Sequence, residues 1–170
     1  MLFQSQYRFH GTHADKVTKL TAEFSDKHKL FSYTHEIYQL APIVGYLYQR
    51  KAAQNNENGK VENIFLEQIS RYRDVFEFNY RLIMLLDKNH EPDFETRVDK
   101  AFRLYATEKA KPDEILYEEY VRGGVDVLYE KLIEQSTDYV KNLYEFMEDF
   151  ESRHGQNVDE ILDLCQIARS

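Results

Sequence analysis

The sequence predicts an all-α fold: a compact single-domain bundle of about six helices, with a short extended arm over residues 1–10. Three observations carry that expectation. Breakers are scarce, with 6 Gly and 3 Pro in a chain that is 31% charged and 42% hydrophobic, and a charged chain poor in breakers favours helices. Apolar residues return at three-and-four spacing along most of the chain. A length of 170 residues suits one domain that buries a sizeable core without a disulfide or metal staple.

The first nine residues alternate, with Phe3, Ser5, Tyr7 and Phe9 on one side and Gln4, Gln6 and Arg8 on the other. Period two predicts an extended arm. Such an arm, without a strand partner in an all-helical chain, packs its aromatics onto the helices or pairs with another protein's sheet edge. Thr12 reads as the N-cap of a helix over about 12–25, with Val17, Leu20 and Phe24 on one face. Thr34 opens a second helix whose stripe is Ile37, Leu40, Val44, Leu47 and Tyr48. Pro42 lies inside it and predicts a kink or break, because it removes one backbone donor. Residues 54–63, QNNENGKVEN, read as a loop.

Asn63 then caps a helix expected to run to about Asn89. Its last turns are apolar on nearly every side, which predicts the central buried helix of the fold (63–89). Asn79 falls close to its apolar stripe and predicts a structural polar anchor, with a carbonyl freed by Pro42 as the natural partner. Arg81 falls on the far side and is expected to face water or an acidic helix. Pro92 and Pro112 sit at first-turn positions of further helices, the former over about 92–108. One long helix is expected over about 125–153, from the seam Val125, Leu128, Leu132, Tyr139, Leu143, Phe146 and Phe150. Gly123-Gly124 either breaks the chain before that helix or lets it pass through at a close backbone contact. A short last helix, about 158–168, carries Ile161, Leu164 and Ile167.

Charge narrows the function classes. The net charge of −8 divides unevenly: residues 1–112 carry +2 and residues 113–163 carry −11. A polyanion is repelled by the second segment, so direct nucleic-acid binding is disfavoured and a basic partner favoured. Cys165 is the only cysteine, which excludes an internal disulfide and fits a reducing, cytoplasmic setting. The longest apolar run, Leu40–Tyr48, is too short to span a bilayer.

The chemistry-bearing motifs are sparse. Asp87-x-x-His90 and Glu151-x-x-His154 have the spacing of di-metal carboxylate bundles, but both stand at expected helix ends, where His interacts well with the negative end of the helix dipole. His10 and His13 lack further ligands at a telling spacing. No phosphate loop, nucleophile elbow or dinucleotide fingerprint occurs, so no catalytic residue, cofactor, metal or small-molecule ligand is implied.

The aromatic inventory points to contacts instead. With 13 Tyr and no Trp, the chain is rich in side chains suited to half-buried edges. Tyr117, Tyr120, Tyr129 and Tyr144, with acidic Glu145, Glu148, Asp149 and Glu151, are the expected partner-binding residues. The expected function is a non-enzymatic interaction module, an accessory subunit that docks other protein subunits or a second copy of itself. The alternatives are an acidic mimic of nucleic-acid phosphates on a basic partner and a metal-dependent helical-bundle enzyme.

Overall fold

The computed structural model describes residues 1–154 except Asp26. The helix expected over about 158–168, Cys165 included, lies outside the described residues. Among the described residues the fold is mostly helical, with seven α-helices and two small antiparallel sheets. The chain forms two compact units, Met1–Tyr129 and Glu130–Ser170.

In the first unit the arm finds a partner within the chain. β1 (Tyr7–His10) pairs antiparallel with β4 (Val61–Ile64), in the register Tyr7↔Ile64 and Phe9↔Glu62. Residues 54–60 form the expected loop, but 61–63, read as its end and a helix cap, are strand, and Asn63 caps nothing. Val61–Ile64 begins and ends on a β-branched residue, which suits a short strand. Phe9 and Ile64 point inward and are buried.

α1 (Gly11–Leu20) starts one residue earlier and ends five residues earlier than expected. Its N-terminus is capped by Asn55: Oδ1 accepts from the Thr12 N–H at 3.0 Å, and Nδ2 donates to Thr12 Oγ1 at 2.7 Å. Gly11 adopts φ 59° where Asn55 packs against it, a place no side chain can share. The residues expected to end α1 instead form a small hairpin, β2 (Glu23–Ser25) with β3 (His28–Lys29).

The core is built on α2 (Thr34–Leu47) and α6 (Lys111–Tyr129), and α6 passes through Gly123 and Gly124 unbroken. Two interior glycines cost a helix roughly 2 kcal/mol relative to alanine. The return is backbone-to-backbone approach. A Cβ on Gly124 would enter the Ala41 carbonyl, and one on Gly45 would enter that of Tyr120. Gly123 lies in the same way against the Arg50 carbonyl. Around this crossing Ile37, Tyr38, Ala41, Val44, Tyr117, Tyr120, Val121, Val125 and Leu128 are fully buried.

The expected central helix 63–89 is split into β4, α3 (Leu66–Arg71) and α4 (Arg73–Leu86), with Tyr72 at the joint (φ −108°, ψ 16°). α4 is one-sided: Phe76, Asn79, Tyr80, Ile83 and Met84 are buried, whereas Phe78 is 61% exposed. α2 and α6 thus take the central place assigned to it. The helix expected over about 92–108 is shorter as well. α5 (Phe94–Val98) is capped by Asp93, whose Oδ2 accepts from the Thr96 N–H at 2.7 Å, and it runs into a π-helical turn over Asp99–Arg103.

In the second unit the expected long helix is interrupted. A π-helical turn, Glu130–Glu134, is followed by four non-helical residues and then α7 (Tyr139–His154). Ser136-Thr137-Asp138 supplies the stop and the new start, because short polar side chains compete for backbone bonds. The Lys141 N–H donates to Asp138 Oδ1 at 3.0 Å. Asn142, 1% exposed, bridges the break: Nδ2 donates to the Leu132 carbonyl at 3.0 Å and to the Ser136 carbonyl at 2.9 Å, and Oδ1 accepts from Ser136 Oγ at 2.6 Å.

Candidate functional site

α7 carries the most distinctive surface of the second unit. Phe146 and Asn142 are buried, and Phe146 packs on Phe150 with ring centroids 5.9 Å apart. On the neighbouring face Val140, Leu143, Tyr144 and Met147 stand exposed, Tyr144 at 70%. These four fall within about 100° of the helical wheel. Glu151 falls within that stripe between Val140 and Tyr144, Glu148 and Glu145 continue round one side of it, and all three are exposed. Lys141 lies among them and pairs with Glu145 at 3.5 Å. Asp149 sits nearer the buried face and pairs with Lys131 at 3.3 Å.

Of the residues expected to meet a partner, Tyr144, Glu145, Glu148 and Glu151 therefore share one exposed face. Three tyrosines do not join them. Tyr117 and Tyr120 are 0% exposed and Tyr129 is 8% exposed, all in the first unit. Tyr117 belongs to an aromatic cluster with Phe3, Tyr38 and Tyr80. Tyr129 packs beneath Lys16 and Lys19, whose ammonium groups lie 5.6 and 5.3 Å from its ring centroid. Helical spacing shows which residues share a face, but not which faces another element covers. Leu143, expected in the inward seam, is 38% exposed, and Val140 and Met147, which carry no sequence expectation, stand beside it. The signal was present in V-x-x-L-Y-x-x-M, a second stripe beside the seam.

Asn79 and Arg81 of α4 are engaged, although among the described residues the buried Tyr80 hydroxyl and Arg81 Nε find no hydrogen-bond partner. Asn79 donates from Nδ2 to the Gln39 carbonyl at 2.8 Å, one residue beyond the Tyr38 carbonyl that Pro42 cannot serve. Arg81 pairs with Glu77 at 3.0 Å and lies over the Phe102 and Tyr105 rings, so it meets neither bulk water alone nor the acidic helix. Asp87, 2% exposed, accepts from the Tyr120 hydroxyl at 2.7 Å and from the His90 N–H at 3.0 Å. His90 Nε2 meets Asp113 Oδ1 at 2.9 Å, and Lys100 Nζ lies 3.2 Å from the same oxygen. Arg97 donates to the Leu85, Glu91 and Pro92 carbonyls, each at 2.8 Å. This network ties the end of α4 to α5 and the start of α6, with every charge answered by a neighbour.

Burial also governs titration. Tyr38 and Tyr117 have phenol pKa values pushed well up by desolvation in the core. Burial would raise the Asp126 carboxyl, but hydrogen bonds from His13 and Lys16 outweigh it and hold the pKa below the ordinary value. Burial in turn lowers the pKa of His35, whose ring is stacked between Tyr33 and Tyr72. Among the described residues no group of three or more His, Cys, Asp and Glu is placed to hold a metal ion. No helix there is long and apolar enough to cross a membrane.

What the fold defines is a mostly-α bundle, and α7 exposes an acid-flanked apolar stripe. No protein-family model matches the chain, and neither a curated protein nor a solved structure does.

Proposed function

We propose that the chain is a non-enzymatic interaction module, an accessory subunit that docks a partner protein through α7. The observation that carries this reading is the exposed stripe Val140, Leu143, Tyr144 and Met147, with Glu151 within it and Glu148 and Glu145 along one side. An exposed Tyr and Met on a helix are hot-spot types, and adjacent charge selects the partner and steers it. The complement is an amphipathic helix that presents an apolar ridge flanked by Lys or Arg. The net charge of −11 over residues 113–163 favours the same basic partner at longer range. The single cysteine of the chain is consistent with an assembly in the cytoplasm.

The test pairs two sets of substitutions. Binding of a synthetic amphipathic Leu/Lys helix is followed by fluorescence anisotropy in the intact protein. Tyr144→Ala with Met147→Ala removes the ridge contact, and Glu145→Gln with Glu148→Gln and Glu151→Gln removes the charge. Both sets should weaken binding at least about tenfold, and the charged contribution should fade with added salt. A partner held by charge alone, as a phosphate mimic requires, responds to the second set and ignores the first. Binding unchanged by either set refutes the docking face.

A further inference from the structure

His35 stands second in α2, 6% exposed, with its ring held between two phenols. The Tyr33 ring lies on one side, with centroids 5.4 Å apart and planes 17° from parallel. The Tyr72 ring, from the joint of α3 and α4, lies on the other at 4.4 Å and 16°. Gln68 of α3 reaches the same imidazole, its Nε2 lying 3.5 Å from Nδ1. The start of α2 and the whole of short α3 thus meet at one titratable ring.

The hydrogen bonds fix the state of that ring. The Phe65 N–H donates to Gln68 Oε1 at 3.1 Å, and a backbone N–H can only donate. The amide oxygen therefore faces Phe65, and the Nε2 that faces His35 is a donor. Nδ1 must accept, so the imidazole is neutral and carries its proton on Nε2. A proton added at Nδ1 sets two donors against each other and breaks the tie. The phenol faces attract an imidazolium, but burial favours the neutral ring and lowers the His35 pKa; Glu36 opposes the shift and Arg71 of α3 adds to it. The charges around the ring are otherwise committed. Glu36 accepts from the Ser32 and Tyr33 N–H groups at 2.8 and 3.0 Å, Glu62 of β4 accepts from Thr34 Oγ1 at 3.1 Å, and Arg71 pairs with Glu67 at 3.3 Å.

We propose that His35 is an acid-sensitive latch: the neutral ring fastens α3 to the start of α2, and protonation at Nδ1 releases α3. Release uncovers Ile69, which is 1% exposed, beside Phe65 and Leu66, which are exposed already. An apolar surface of the first unit therefore grows on acidification. The latch is fully closed above the unfolded imidazole value of about 6.5 and opens as the pH falls through the lower folded value.

The test follows the His35 ring resonances against pH in the intact chain, together with hydrogen exchange at the Ile69 and Tyr72 amides, each rate divided by that of an unstructured peptide at the same pH. The His35 midpoint should lie below about 6.5, and protection at both amides should fall at least about threefold across it. Gln68→Glu reverses the sign. Glutamate still accepts from the Phe65 N–H in the capping box, but it pairs with a protonated His35, so the midpoint should rise above about 6.5 and acid should raise the protection. His35→Phe keeps a stacked ring without a proton to gain and should abolish the pH response. A parent midpoint at or above about 6.5, protection that ignores the midpoint, or a Gln68→Glu protein that loosens in acid as the parent does each overturns the latch. The titration of the unsubstituted chain decides the matter even if a variant fails to fold.

Discussion

Gly124→Ala tests the packing logic of the core most directly. The added methyl would enter the Ala41 carbonyl, well inside the 3.0 Å that real Cβ atoms keep. The obstacle is backbone, so no side chain can swing aside. α2 and α6 must separate by on the order of 1 Å. A gap of roughly 0.5–1 Å forfeits about a quarter to a half of a dispersion contact. Ala41, Val44, Tyr120, Val121 and Val125 are fully buried at or beside the crossing. Taking about four such side chains at about 2 kcal/mol each, the loss is about 2–4 kcal/mol. Alanine returns about 1 kcal/mol of helix propensity. The net expectation is about 1–3 kcal/mol of destabilisation, read as a lower urea midpoint at unchanged m-value. Ser70→Ala on the exposed side of α3 is the control and should move the midpoint little. A Gly124→Ala protein as stable as the parent would refute the close-approach account of the glycines.

The remaining expectations use the same denaturation assay. Asn79→Leu removes the bond to the Gln39 carbonyl and should cost about 1–2 kcal/mol; no change would mean that this buried carbonyl needs no donor. Tyr120→Phe withdraws the hydroxyl from Asp87, 2% exposed, and should cost about 1.5–3 kcal/mol, with Asp87→Asn partly restoring the double variant. The depressed pKa of Asp126 stabilises the fold above the unfolded carboxylate value of about 3.9, and that share is lost as pH falls through the lower folded value. The stability difference between the parent and Asp126→Asn should therefore be full at neutral pH and shrink in acid; a difference independent of pH contradicts the bonds from His13 and Lys16. In the second unit, Asn142→Leu should lower stability by about 1–3 kcal/mol, because the Leu132 and Ser136 carbonyls lose their donor. Tyr144→Ala should leave stability within about 0.5 kcal/mol, since its side chain stands in solvent.

Helical periodicity and the shortage of breakers by themselves determined that the chain builds a mostly-α bundle. Local chemistry of this kind survives any tertiary context: Pro42 cannot donate, and Asn79 beside an apolar stripe must find an acceptor. Which of two permitted outcomes prevailed was a tertiary matter. Gly123-Gly124 continues the helix because the Arg50 and Ala41 carbonyls fill the space where side chains would stand. Val61–Ile64 became a strand because Tyr7–His10 lay ready to pair with it. The seam through 125–153 divided because Ser136, Asp138 and Asn142 hold the backbone groups released at the break. Tyr117 and Tyr144 read alike in sequence, both at the edge of a helical stripe, and they ended at 0% and 70% exposure. Spacing sets the angle of a side chain about its own helix. Only the arrangement of neighbouring elements decides whether that angle meets protein or water.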